Sequence, residues 1–155
     1  ELPVHKTSIF FIIDNISIMK KILVLCTGNS CRSQMAEGFL NELGLDVKSA
    51  GLESHGINSY AVKVMHELNI NISTNQSKKI DSLKLEEFDI LITVCDHAKE
   101  TCLNILDIKH RIHKSFLDPA SAIGSNENKL AIYRKVRDEI NLFCNQFFNE
   151  YYGKK

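Results

Sequence analysis

Eight consecutive residues, Cys26-Thr27-Gly28-Asn29-Ser30-Cys31-Arg32-Ser33, constrain this chain more than anything else in its sequence. A short apolar run, Lys21 to Leu25, precedes them. Met35, Ala36, Phe39, Leu40 and Leu43 follow at helical spacing within Arg32 to Leu43. A strand that curls through a Cys-x5-Arg loop straight into a helix turns successive backbone N–H groups inward, making a nest for a tetrahedral oxyanion. Gly28 and Asn29 are residue types that accept the positive φ so tight a curl demands. Arg32 presents a planar fork to two oxygens of the anion. The same donors and the helix dipole favour a thiolate at Cys26, with Ser33 placed to donate to it. Thr27, Gly28, Asn29, Ser30, Cys31, Arg32 and Ser33 are therefore expected to bind an oxyanion, with Cys26 as nucleophile. Cys31 lacks the required spacing to Arg32 and is secondary.

Elsewhere strand and helix patterns alternate. Asp46 to Ala50 reads as a second strand ended by Gly51, and Ser59 to Leu68 as a helix. Phe88 to Val94, rich in β-branched residues, reads as the best buried strand, and Arg111 to Lys114 as a short fourth. A final helix runs from about Asn128 to Tyr151, with Tyr133, Val136, Ile140, Phe143, Cys144, Phe147 and Tyr151 on one stripe. Strands separated by helices predict a single α/β domain: a four-stranded parallel sheet, right-handed crossovers, and helices on both faces. Ligands of such sheets bind beyond the carboxyl ends of the strands, where Cys26 and Cys95 both fall.

Composition narrows the function. With 155 residues there is room for one ordinary domain, and 44% hydrophobic with 25% charged residues is a globular balance. Nineteen basic and nineteen acidic residues cancel, which argues against a nucleic-acid partner. No apolar run approaches the roughly 18 residues of a membrane span. Five cysteines, an odd number in a chain large enough to fold without staples, point to a reducing compartment, the cytoplasm. Cys26-x4-Cys31 and Cys95-x6-Cys102 lack the short paired spacing of zinc sites, so no metal is expected. Ser8 to Ile13 has the look of a short signal core, but Asp14 interrupts it and no convincing cleavage site follows. Residues 1–18 are expected to be an extension outside the native fold, with the domain spanning 19–155.

The stretches CTGNSCRSQMAEGF (26–39), SAGLESHGIN (49–58), VCDHAKETC (94–102), DPA (118–120) and KVRDEI (135–140) carry a family likeness. From about Lys20 onward the chain resembles the low-molecular-weight protein tyrosine phosphatase superfamily, and within it the thioredoxin-coupled arsenate reductases. That resemblance implies a cytoplasmic monomer acting on arsenate or a phosphate-like oxyanion, with Asp118 transferring a proton at the departing oxygen. It implies a thiol relay from Cys26 to Cys95 to Cys102, reset by thioredoxin and needing no redox cofactor. Residues seven apart on a helix share a face but lie two turns apart, about 10.5 Å. A disulfide needs Cα atoms within about 7 Å, so joining Cys95 to Cys102 requires the segment between them to bend or unwind.

The competing expectation is a phosphatase hydrolysing phosphate monoesters through a Cys26 phosphoenzyme. The anion loop suits both reactions. The Cys95/Cys102 pair argues for reduction, as do Ala120 and Ser121 where a phosphatase would carry aromatics. Cys144 is expected in the core. His55, His66, His97, His110 and His113 are expected to be surface or structural residues, and the basic run Lys109 to Lys114 a solvated strand edge. Some reductases of this type bind potassium with residues matching Asn29, Glu37 and Ser49 plus an aspartate. Lys78 falls at the fourth place, and its ammonium is expected to stand in for the ion.

Overall fold

The computed structural model of the protein describes residues 20–102, 107–108 and 110–153. The expected extension, residues 1–18, lies outside the described residues. Ile22, Leu23, Val24 and Leu25 are all fully buried, so both faces of this strand are covered. Such a strand belongs in the interior of a parallel sheet with helices on either side. The strands are β1 (Ile22–Cys26), β2 (Val47–Gly51), β3 (Ile90–Thr93) and β4 (His110–His113). They form one sheet in the order β2-β1-β3-β4, with every neighbouring pair parallel.

Four α-helices complete the fold: α1 (Arg32–Glu42), α2 (Ser59–His66), α3 (Asp96–Cys102) and α4 (Asn126–Tyr152). From β1 the chain steps outward through α1 to β2, and from β3 it steps the opposite way through α3 to β4. Right-handed crossovers then place α1 and α3 on opposite faces. The loops after β1 and β3 therefore diverge around one crevice at the carboxyl edge of the sheet, the usual ligand position in such folds.

Several boundaries differ from the sequence reading, each for a local reason. Helix α4 starts two residues early because the Ser125 hydroxyl caps it, accepting the Asn128 N–H at 3.2 Å. Gly124, at φ +108°, allows the chain to turn into that cap. Helix α2 ends at His66, before Leu68, which stays 40% exposed. Tyr151, expected on the buried stripe of α4, is 39% exposed and pairs edge-on with His110. Arg137, within KVRDEI, is buried and crosses to α2, donating to the Val64 carbonyl and to Glu67. Among the described residues no helix is long and apolar enough to cross a membrane.

Candidate active site

The loop after β1 closes as the Cys-x5-Arg pattern predicts. Residues 27–31 form the curl, and α1 begins at Arg32. Asn29 takes the positive φ, 48°, and donates its backbone N–H to Cys26 Sγ at 3.2 Å. Its side chain fastens the rest. The Asn29 amide nitrogen donates at 2.8 Å to Ser33 Oγ and at 2.8 Å to Ser49 Oγ, on β2. Because Ser33 Oγ accepts from Asn29, its hydroxyl hydrogen is free for Cys26 Sγ, 2.8 Å away. Ser49 in turn donates its hydroxyl and its N–H to the buried Glu37 carboxylate.

Gly28 does not use positive φ, contrary to the sequence reading. Its need is space: a methyl group there would collide with the His55 imidazole. Gly51 serves a similar purpose beneath the loop, where a Cβ would lie 2.8 Å from the Asn29 backbone nitrogen.

Arg32 points across the cavity mouth. One guanidinium nitrogen donates to the Phe116 carbonyl at 3.0 Å, and another lies 3.8 Å from Asp118 Oδ2. Asp118 is half exposed and holds its own loop by accepting the Ala120 N–H at 3.1 Å. Cys26, Thr27, Gly28, Ser30, Cys31, Arg32, His55, Asp118 and Ala120 enclose a cavity of about 130 Å³, room for a single tetrahedral anion. Cys31 is buried at the start of α1, near the Ser30 and Tyr133 hydroxyls, and burial pushes its thiol up. It lines the cavity as a thiol.

Cys95 lies two residues beyond the end of β3, immediately before α3, and Cys102 closes α3. Cys95 Sγ stands 3.4 Å from the hydroxyl of Thr27, the residue after Cys26. The two sulfur-bearing strand ends are thus adjacent at the sheet edge. Cys102 is buried, and that burial raises its thiol while Arg111 partly offsets the effect. Every cysteine is free. Cys144 sits in the core as expected, its thiol pushed up to about 12 by burial.

Cys26, Arg32 and Asp118 thus line one cavity. The chain belongs to the low molecular weight phosphotyrosine protein phosphatase family, which it matches over residues 21–155. Relatives within this phosphatase family include an arsenate reductase of Halalkalibacterium halodurans. It is 51% identical over 124 residues, 78% of this chain and 89% of that protein. A solved arsenate reductase in its phosphate-binding state superposes with a TM-score of 0.67 at 28% identity, over 85% of this chain and 98% of the other. A low molecular weight protein tyrosine phosphatase from T. tengcongensis shares the fold, with a TM-score of 0.72 at 24% identity, over 84% of this chain and 99% of that one. The chain is an enzyme of this family.

One expectation about a neighbouring residue is corrected. The Lys78 ammonium does not enter the Asn29–Glu37–Ser49 cluster; it turns outward to the Gln76 carbonyl at 3.0 Å. What Lys78 contributes is its backbone N–H, donated to Asn29 Oδ1 at 2.9 Å. His55 is an exposed residue as expected, and in addition it lines the cavity and pairs with Glu53 at 2.6 Å. Gln34 was not foreseen at all. Fully buried, it donates to both Asn29 oxygens, at 3.2 and 3.0 Å, and accepts from Asn75 at 3.2 Å. A glutamine one turn inside a helix carries no distinguishing sequence signal. Among the described residues no cluster of three or more His, Cys, Asp or Glu is arranged to hold a metal ion.

Proposed function

We propose that this enzyme reduces arsenate to arsenite with its own thiols. The Cys26 thiolate attacks arsenic, forming an S–As bond as one oxygen leaves as water. Asp118 supplies the proton, and the loop N–H groups with Arg32 carry the anion's charge. The Cys95 thiolate then attacks Cys26 Sγ. An S–S bond forms, the S–As bond breaks, and its electron pair stays on arsenic, which leaves as arsenite. Cys102 next attacks Cys95 Sγ, freeing the Cys26 thiolate and leaving a Cys95–Cys102 disulfide. A dithiol protein of the thioredoxin type returns two electrons by thiol–disulfide exchange. No redox cofactor takes part, and the protein works as a monomer in the reducing cytoplasm, in keeping with its five free cysteines.

The observation that carries this reading is the 3.4 Å approach of Cys95 Sγ to Thr27 of the anion loop, with Cys102 at the far end of the helix that starts right after Cys95. Ester hydrolysis has no use for such a pair. The reductase relatives support the same direction. The anion cavity with Asp118 beside Arg32 also suits aryl phosphates, so a weak phosphatase activity accompanies reduction.

A coupled assay with arsenate, thioredoxin, thioredoxin reductase and NADPH, run beside aryl-phosphate hydrolysis, tests this. Cys95→Ser and Cys102→Ser should each abolish multiple-turnover reduction and leave most ester hydrolysis. Undiminished arsenate turnover in either variant would sink the relay and favour the phosphatase reading.

A further inference from the structure

His113 lies at the carboxyl end of β4, level with Thr93 at the end of β3. Both of its ring nitrogens are engaged. Nδ1 is 2.8 Å from Thr93 Oγ1 and Nε2 is 2.9 Å from Asp96 Oδ1. A carboxylate only accepts, so Nε2 carries the proton toward Asp96; in the neutral ring Nδ1 then accepts from the Thr93 hydroxyl. Thr93 and Asp96 flank Val94-Cys95. One imidazole therefore ties the chain on both sides of the relay cysteine. The intervening backbone is held as well: the Val94 N–H donates to Leu25 at the end of β1 (3.1 Å), and the Val94 carbonyl accepts from Phe116 (3.3 Å).

We infer that His113 is a positioning residue for Cys95, stapling Thr93 to Asp96 so that Cys95 stays against the anion loop while the rest of α3 unwinds. The inference rests on the relay reading above and deepens it, because it assigns which cysteine moves. Cys95 must meet Cys26 Sγ along the S–As axis, a geometry that tolerates little displacement. Cys102 must travel about 10.5 Å of helix to reach Cys95. With Asp96 held by His113, the helix opens from its Cys102 end, and the second thiol comes to the first. Without the staple, the first turn of α3 opens too, and Cys95 drifts from the loop.

The test uses the full chain in a Cys102→Ser background, where one equivalent of arsenate leaves a trapped Cys26–Cys95 disulfide. Its rate of formation is followed by quenched mass spectrometry. Adding His113→Phe, or Asp96→Ala from the other end of the staple, should slow that bond by about tenfold. Aryl-phosphate hydrolysis, which uses Cys26 without Cys95, should stay within about twofold of the parent, and His113→Gln, whose amide can still bridge, should recover part of the rate. Asp96 is well exposed, so its variant decides the matter if His113→Phe fails to fold. Bond formation at the parent rate in Asp96→Ala overturns the staple, as does a parallel loss of ester hydrolysis in the variants. Absence of any Cys26–Cys95 bond in the parent overturns the relay itself, before the variants are compared.

Discussion

The anion loop and the relay helix are built to opposite specifications. Between Cys26 and Ser33 the loop is tied together largely through Asn29, which bonds to Cys26, Ser33 and Ser49 and accepts from Gln34 and Lys78. Helix α3 has seven residues, packs against β1 and β3, and ends in a cysteine whose partner lies at its other end. Stabilising developing charge on a bound oxyanion requires donors that need no reorganisation at the moment of reaction. Handing electrons between thiols two turns apart requires a segment that opens at low cost. Rigidity and pliancy meet at Cys95, beside Thr27 on one side and at the head of α3 on the other.

This division can be broken at the loop first. Cys26→Ser should lower both arsenate reduction and ester hydrolysis by on the order of 1000-fold or more, since both begin at that sulfur. Retention of either activity in steady-state assays would separate that reaction from the loop. Asn29→Ala should lower both activities together by roughly 10- to 100-fold, through misplaced donors. It should also lower the melting temperature, because Ser33, Ser49 and Gln34 lose a buried partner. An unequal loss from the two reactions would show that the loop is not their common element.

The smallest effect concerns the helix. Burial raises the Cys102 thiol, so folded α3 binds that proton more tightly than opened α3 does. The contribution to helix stability is therefore complete below the ordinary thiol value of about 8.5 and is lost as pH rises through it toward the folded value. Amide-exchange protection of α3 should be constant at neutral pH and fall above that point. Cys102→Ala should remove the fall, and a pH-independent opening would place the proton linkage elsewhere.

The loop was legible in the sequence because its parts are contiguous. A strand, a tight curl and a helix within one short stretch leave little choice about where Cys26, Arg32 and Ser33 point. The sheet was legible for a related reason, since continuous apolar runs such as Ile22 to Leu25 permit only a covered parallel strand. What escaped depends on partners distant in the chain. Gln34 matters because it meets Asn29 and Asn75, and His113 because its ring lies between Thr93 and Asp96. The family resemblance implied that Lys78 adjoins the Asn29 cluster but not that its ammonium turns outward, since backbone and side chain face opposite ways there. His55 read as surface or structural, which its exposure bears out, but nothing local says that Gly28 leaves room for its ring beside the cavity.

Disulfide mapping after one turnover tests the central claim most directly. Fully reduced enzyme mixed with excess arsenate and no external reductant should release one arsenite per chain and end with Cys95 bonded to Cys102 and Cys26 free. Arsenite release without that bond, or a product in which Cys26 is instead joined to Cys31, would contradict the account.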